Sequence, residues 1–118
     1  MSLYFVETAA FTRRISSLGL ESELSTLQSH IAGNVAAGDI DPGTGGLRKV
    51  RVADPGRRKG KRGGARVHYL YLPQHAVVYL VFAYGKDEQS KLTPQQKRQL
   101  KGVAEALKAE WDTSTGAT

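Results

Sequence analysis

The sequence predicts an α+β fold in which a small antiparallel sheet of about four strands carries two N-terminal helices and one C-terminal helix. Apolar residues recur at helical spacing up to residue 32, alternate with polar residues after residue 46, and give way to a helix-capping signature near residue 93. A chain of 118 residues has room for one such domain. We place that domain at residues 1–112 and expect a disordered polar tail at 113–118.

The first third of the chain predicts one strand and two helices. Leu3–Val6 is a short, β-prone apolar run that suits an opening strand. Thr8 can cap the first helix, which Gly19 ends. The second helix spans about Glu21 to Ala32, and Gly33–Asn34 terminates it.

A segment rich in turn formers, Asp41–Gly46, leads into the predicted strands. Leu47–Ala53 and Ala65–Leu72 alternate in polarity and form a hairpin, whose long loop at 54–64 is basic and rich in glycine. The nearly continuous apolar run Ala76–Tyr84 fits a central strand covered on both faces.

The last helix begins with Thr93 as the N-cap and Pro94 at its first position, and Gln96 completes a capping box. Its buried stripe is expected to contain Leu100, Val103 with Ala104, Leu107 and Trp111. From this order of elements we expect helices to cover one face of the sheet and the other face to stay open to a ligand.

Composition argues against several classes of protein. Without cysteine there is neither a disulfide framework nor a thiolate metal site, and the three histidines show no ligand spacing. The acidic residues are not clustered as a magnesium nuclease requires, so we expect no metal or other cofactor. No apolar run approaches the roughly 18–20 residues that span a bilayer, and the N-terminus lacks a secretory pattern. We therefore expect a cytoplasmic protein without a membrane partner.

The formal net charge is +6, and it is concentrated in one segment. Residues 47–72 carry nine basic side chains against Asp54 alone, whereas the remainder of the chain is weakly acidic. Such a concentration of charge indicates a surface that binds a polyanion. The residues expected to bind RNA phosphates are Arg48, Arg57, Arg58, Lys59, Lys61 and Arg62.

Side-chain alternation separates the strand cations into two sets. Lys49 and Arg51 share one face of the first hairpin strand, opposite to Arg48, and Arg66 shares a face with His68 on the second strand. If Lys49 and Arg51 pair near Arg66, three cations crowd one patch. Of these residue types only lysine can respond by losing its proton.

Such a patch can cleave RNA without a metal. The 2′-hydroxyl needs a base, the phosphorane needs cations, and the 5′-oxygen needs an acid; a lysine suits the first role and arginines the second. The alternative is a strand pair that binds phosphates without catalysis, which composition alone favours because basic strands bind nucleic acid more often than they cut it. Lys86 can reach the patch as a phosphate contact or proton donor, or be an ordinary surface lysine. His68 can shuttle a proton or be structural.

Three glycine-flanked basic motifs, in this order, resemble the RelE/ParE toxin superfamily, and above all its HigB-type RelE-like branch: Gly43–Arg51, Gly60–Tyr69 and Tyr84–Lys86. The resemblance extends from about Leu3 to Trp111 and includes the order of elements. It implies a RelE-like microbial RNase fold and the toxin of a bacterial type II toxin–antitoxin system. Such toxins are metal-independent mRNA interferases that cleave mRNA in the ribosomal A site and halt translation.

The resemblance also implies partners and site residues. The partners would be the ribosome with bound mRNA, a cognate antitoxin, and operator DNA only through the toxin–antitoxin complex. The catalytic roles would fall on Lys49, Arg51 and Arg66, with Lys86 as a weaker match. This agreement with the alternation argument places catalysis ahead of simple binding.

The chain departs from RelE itself at two places. Asp87 stands where RelE has an arginine after the last strand, and Lys91–Leu92 stands where RelE has a tyrosine. The proton donor therefore stays open among Lys86, His68 and Tyr84.

Other functions compete with the ribonuclease. A relative with the same fold, ParE, targets gyrase, and a non-catalytic RNA-binding module or a structural accessory of the ribosome would also carry basic strands. The dense basic hairpin and the cations on its strands favour the ribonuclease.

Overall fold

The computed structural model describes residues 2–55 and 64–116, with side chains as far as Asp112. A single-turn 3₁₀ helix precedes α2 and another joins β4 to β5. The strands and α-helices follow in this order: β1 (Tyr4–Glu7), α1 (Ala9–Leu18), α2 (Leu24–Gly33), β2 (Asp39–Ile40), β3 (Arg48–Val52), β4 (Ala65–Leu72), β5 (Val77–Gly85) and α3 (Pro94–Gly116). The predicted α+β class is confirmed.

The described strands form one sheet with the order β1-β5-β4-β3-β2. The sheet is mixed rather than antiparallel as expected, because β1 pairs with β5 in parallel while the other neighbours are antiparallel. It also has one strand more than expected. That strand, β2, has two residues, which is too short to show an alternating pattern in the sequence.

Helices pack on both faces of the sheet. Phe11 and Ile15 of α1, with Leu27 and Ile31 of α2, are buried against one face, whereas α3 covers the other. The second face is therefore open to a ligand only in part, because β5 is apolar on both sides and α3 packs against it. The basic side chains of β3 and β4 lie beside this covered region.

A β-bulge in β5 determines which of its side chains face α3. His68 pairs with Phe82 and Tyr69 with Leu80, so Val81 is the extra residue. Because of this insertion, Tyr84 lies opposite Arg66 and points to the same face of the sheet. On that face it packs among the apolar residues beneath α3. The bulge thus places an aromatic side chain directly beside Arg66, the cation of β4.

The predicted caps of α1 and the predicted start of α3 are confirmed, whereas α2 begins at Leu24, after the 3₁₀ turn Glu21–Glu23, and not at about Glu21. The Thr8 hydroxyl accepts a hydrogen bond from the Phe11 amide at 3.1 Å, and Gly19 ends α1 with a left-handed φ of 69°. At α3, the Gln96 amide donates to the Thr93 hydroxyl at 3.1 Å, and the Thr93 amide donates to the Gln96 side chain at 2.9 Å.

The buried stripe of α3 differs from the prediction at Val103. That side chain is 38% exposed, while its neighbour Ala104 is completely buried. The reason is the close approach of Gly45, where an added Cβ would lie 3.2 Å from the Cβ of Ala104. Only a small residue on the helix allows this contact, so the helix is rotated toward Ala104 rather than Val103.

The backbone of α3 extends to Gly116 and so includes residues 113–116, which the sequence analysis assigned to a disordered tail. The other two tail residues, 117 and 118, lie outside the described residues. Among the helices described, none has the length and apolar character needed to cross a membrane.

Tyr69 ties the segment before β2 to the core of the sheet. Its ring is completely buried, its hydroxyl donates to the Val35 carbonyl at 2.8 Å, and the Gly38 amide donates to it at 3.1 Å. These bonds hold the chain between α2 and β2 against β4.

We expect Tyr69→Phe to lower the free energy of unfolding by about 1–3 kcal/mol, because a buried amide and carbonyl lose their partner. Chemical denaturation measures the change. Tyr71→Phe is the matched control, since the half-exposed Tyr71 has no side-chain hydrogen bond among the described residues. Equal stability of the two variants would contradict a structural role for the Tyr69 hydroxyl.

Candidate functional site

The pairing of β3 with β4 brings the predicted strand cations together. Arg51 lies directly opposite Arg66, and Lys49 lies opposite His68. Residues opposite each other in an antiparallel pair project to the same face of the sheet. Three cations therefore share one face, as side-chain alternation predicted.

These cations line an open cavity of about 410 Å³. Lys86, which follows β5, lines the same cavity, so it joins the three strand cations. The remaining wall comes from α2, the segment before β3, β3 itself and the turn after β5: His30, Ala37, Asp39, Val50 and Ser90. Four positive side chains around one opening make a strongly anion-attracting site.

A side-chain network holds the turn that carries Lys86. The Glu88 carboxylate accepts a hydrogen bond from the Gly85 amide at 2.8 Å and forms an ion pair with Arg14 of α1. Arg14 also donates to the Ala83 carbonyl at 3.0 Å, and the Lys86 amide donates to the Gly64 carbonyl at 2.8 Å. The backbone of Lys86 is thus connected to both α1 and the start of β4.

Arg66 is the most buried of the four cations, with 6% of its surface exposed. Burial lowers the pKa of its guanidinium and the charge of Arg51 lowers it further, while the interaction with Tyr84 opposes them. An arginine nevertheless stays protonated at neutral pH. The Arg51 side chain beside Arg66 is exposed, so an anion that enters the cavity can contact both guanidinium groups, whose planar forks match its oxygens.

Behind the cavity lies a buried pair of hydrogen-bonded side chains. His68 is completely buried, and its Nε2 lies 2.8 Å from Oδ2 of Asp41. Lys97 of α3 approaches the other carboxylate oxygen at 3.2 Å and donates to the Pro42 carbonyl at 3.0 Å. The Asp41 carboxylate therefore joins β4, the loop before β3 and the start of α3.

The charges of this pair follow from its surroundings. Burial would raise the pKa of Asp41, but hydrogen bonds and charges from His68 and Lys97 outweigh it, so the pKa lies below its usual value. Burial lowers the pKa of His68; the hydrogen bond and charge of Asp41 oppose this, while the charges of Lys49 and Lys97 add to it. At neutral pH an ionised Asp41 therefore accepts the Nε2–H of a neutral His68.

Two of the three candidate proton donors lie beneath the cavity rather than in it. Tyr84 and His68 are both completely buried, with ring centroids 6.0 Å apart. The Tyr84 hydroxyl and Nδ1 of His68 have no hydrogen-bond partner within the part of the chain that the structure describes. Burial raises the pKa of Tyr84, although the charge of Arg66 opposes this. Lys86 is the one candidate of the three that lines the cavity.

The predicted RNA-binding residues are distributed differently. Arg48 is half-buried on the opposite face of β3, where its guanidinium donates to the Gly38 carbonyl at 2.8 Å. The others, Arg57, Arg58, Lys59, Lys61 and Arg62, lie outside the described residues. Arg48 thus supports the segment before β2 instead of contributing to the cavity.

Sequence reasoning missed the acidic residues of the site. Asp41 was read only as part of a turn-forming segment, and its pairing with His68, 27 positions away, has no local signal. Asp39 and His30 were missed because they belong to a short strand and to a helix that lie far from the basic hairpin in sequence. One signal was available in the sequence: His68 lies between the apolar residues Val67 and Tyr69 of a predicted strand. A histidine that is buried there needs a hydrogen-bond partner.

A protein-family model described as the RelE toxin of the RelE/RelB toxin–antitoxin system matches residues 7–114 of this chain. The match includes the four cations of the cavity and the buried pair behind them. It confirms the resemblance to RelE-like toxins that the basic motifs indicated, while the HigB branch stays a prediction.

The buried pair makes stability depend on pH. Between the lowered pKa of folded His68 and about 6.5, the value for an unfolded histidine, the unfolded chain binds more protons than the folded one. The free energy of unfolding should therefore fall as the pH decreases through this range, and Asp41 adds a loss of the same sign at lower pH.

Denaturation of wild type and His68→Gln at pH values from about 7.5 down to about 5.5 tests this. The wild type should lose stability more steeply than the variant, which has no imidazole to protonate. His30→Gln removes an exposed histidine and should keep the wild-type slope. A His68→Gln slope as steep as that of the wild type would rule out His68 as the source.

Proposed function

Since this chain belongs to the RelE toxin family, we propose that it is a ribosome-dependent endoribonuclease that cleaves mRNA in the A site and stops translation. Membership supports a toxin role and implies an antitoxin partner. The observation that carries the proposal is the convergence of Lys49, Arg51, Arg66 and Lys86 on one open cavity. The partner that carries the substrate would be the ribosome with its bound mRNA. The chain would bind operator DNA only as part of the toxin–antitoxin complex.

The cavity suits a phosphodiester. Its volume of about 410 Å³ falls within the range of about 300–1,000 Å³ that holds small ligands. Arg51 and Arg66 contribute the planar forks that bind phosphate oxygens and stabilise the negative charge that grows on the phosphorane. This stabilisation requires no metal ion.

The two lysines suit the proton transfers. Among the cations of the cavity only lysine exchanges a proton readily, because arginine remains charged. β4 lies between β3 and β5, so Lys49 and Lys86 approach Arg66 from opposite sides. In-line attack requires the nucleophile and the leaving group to lie on opposite sides of the phosphorus. A base and an acid on opposite sides of Arg66 match this requirement.

In the proposed reaction, Lys49 takes the proton of the 2′-hydroxyl, and the resulting oxygen attacks the adjacent phosphorus. The bond to the 5′-oxygen breaks as Lys86 donates a proton to it. The products are a 2′,3′-cyclic phosphate and a 5′-hydroxyl. Burial of His68 and Tyr84 supports Lys86 over them as the donor.

We expect Arg66→Ala to reduce cleavage of ribosome-bound mRNA by about a hundredfold or more, because the phosphorane loses its most desolvated cation. Primer extension on mRNA in purified ribosome complexes measures the cleavage. Arg98→Ala, which removes an exposed cation of α3, is the control and should cleave like the wild type.

Thermal unfolding of Arg66→Ala verifies that the variant is folded. Wild-type rates in this variant would contradict the proposed catalytic role. Inhibition of gyrase without mRNA cleavage by the wild type would contradict the ribonuclease itself.

Lys86→Gln tests the proton donor. On an ordinary substrate the variant should be slower by about a factor of a hundred, the contribution typical of a general acid. An RNA whose 5′-oxygen leaving group is replaced by sulfur needs no acid, so it should be cleaved by Lys86→Gln nearly as fast as by the wild type. Arg66→Ala should stay slow on both substrates. A sulfur substrate that fails to restore Lys86→Gln would exclude Lys86 as the acid.

A further inference from the structure

The cavity contains an acidic side chain that phosphate binding does not explain. Among the described residues that line it, Asp39 is the single acid beside four cations. A carboxylate repels phosphate and can only accept hydrogen bonds. It can instead accept hydrogen bonds from a part of the RNA that offers N–H donors, such as the edge of a nucleobase.

Asp39 lies on the cavity face of the sheet. It is directly opposite Lys49 across β2 and β3, and residues so paired share a face. Its side chain is exposed, and in the described part of the chain it forms no ion pair with Lys49 or another cation. The carboxylate is therefore open to a ligand in the cavity.

The backbone that carries Asp39 is held rigidly by its neighbour. Gly38 donates its amide to the buried Tyr69 hydroxyl at 3.1 Å and accepts a hydrogen bond from Arg48 at 2.8 Å. It packs so closely on β3 that an added Cβ would lie 2.4 Å from the Lys49 carbonyl oxygen. A side chain that selects a ligand by hydrogen bonding requires such a fixed backbone.

We propose that Asp39 selects the nucleobase next to the scissile phosphate and that it favours guanine. The inference rests on the proposed function, because it needs an RNA in the cavity. Guanine presents two adjacent donors, N1–H and N2–H, which match the two oxygens of a carboxylate. Cytosine and adenine each place a ring-nitrogen acceptor beside the amino group, and uracil places carbonyl oxygens beside its N3–H. Each of these acceptors repels one carboxylate oxygen.

The test compares cleavage of ribosome-bound mRNAs whose A-site codons differ by one nucleotide at a time. Wild type should cleave codons with guanine at one position faster than the same codons with any other base there. Asp39→Asn keeps the size of the side chain but replaces one acceptor by a donor. It should reduce the preference for guanine by about tenfold, because cleavage of the guanine codon falls relative to the codons with adenine or cytosine, whose amino group and ring nitrogen match the asparagine amide. Asp39→Glu, which retains the carboxylate, should keep guanine as the preferred base.

Glu105→Gln is the matched control, because it removes one negative charge from an exposed position of α3 away from the cavity. It should leave the base preference unchanged. Because Asp39 is exposed and asparagine has the same shape, Asp39→Asn should unfold at the same temperature as the wild type, which thermal unfolding measures.

The outcomes separate the assignment of Asp39 from the proposed function. Cleavage by the wild type without a guanine preference, or an unchanged preference in Asp39→Asn, overturns the role of Asp39 alone. A uniform change on every codon also overturns it, since the acid would then only adjust the charge of the cavity. Absence of mRNA cleavage by the wild type overturns the ribonuclease and the base selection with it.

Discussion

Arg51 and Arg66 lie directly opposite each other on β3 and β4, an arrangement that is unfavourable for like charges and that the rest of the structure has to maintain. What maintains it is the register of the same two strands on their other face, where Val50 pairs with Val67 in the core beneath α1 and α2. A slip by one residue would exchange the two faces, burying cations and exposing valines. The free energy of the apolar core therefore keeps the two arginines directly opposite each other despite the repulsion between their charges.

The cavity and its support are built from different chemistry. Lys49, Arg51 and Lys86, which are exposed or half-buried, form the opening together with the more buried Arg66. The layer behind them consists of a neutral histidine, an ionised aspartate and a tyrosine, all of them buried. Lys97 extends this layer to α3, and Lys108 donates to the Gly45 carbonyl at 2.5 Å. The long C-terminal helix is thus attached by polar contacts to the loop before β3. The packing of α3 therefore helps to fix the position of Asp41 and His68 behind the cavity.

Two arginines that do not line the cavity support the segments around it. Arg48 fixes the backbone before β2 through Gly38, and Arg14 stabilises the turn that carries Lys86 through Glu88. The positive charge of the chain therefore has two uses. One set of cations creates the field in the cavity, and another positions the walls.

The sequence by itself determined the elements with local signals: the helix caps at Thr8 and Thr93, the end of α1 at Gly19, the strand Ala65–Leu72, and the set of cations sharing a face with Arg66. Alternation and capping depend on neighbours within a few positions, so a sequence window contains them. Only the tertiary structure decided that β1 pairs in parallel with β5, that α3 covers the second face, and that His68 meets Asp41. It also decided that Asp39 joins the cations. These features depend on contacts between segments that are far apart in the sequence. Their free energy comes from burial and strand pairing, which a short stretch of sequence does not reveal.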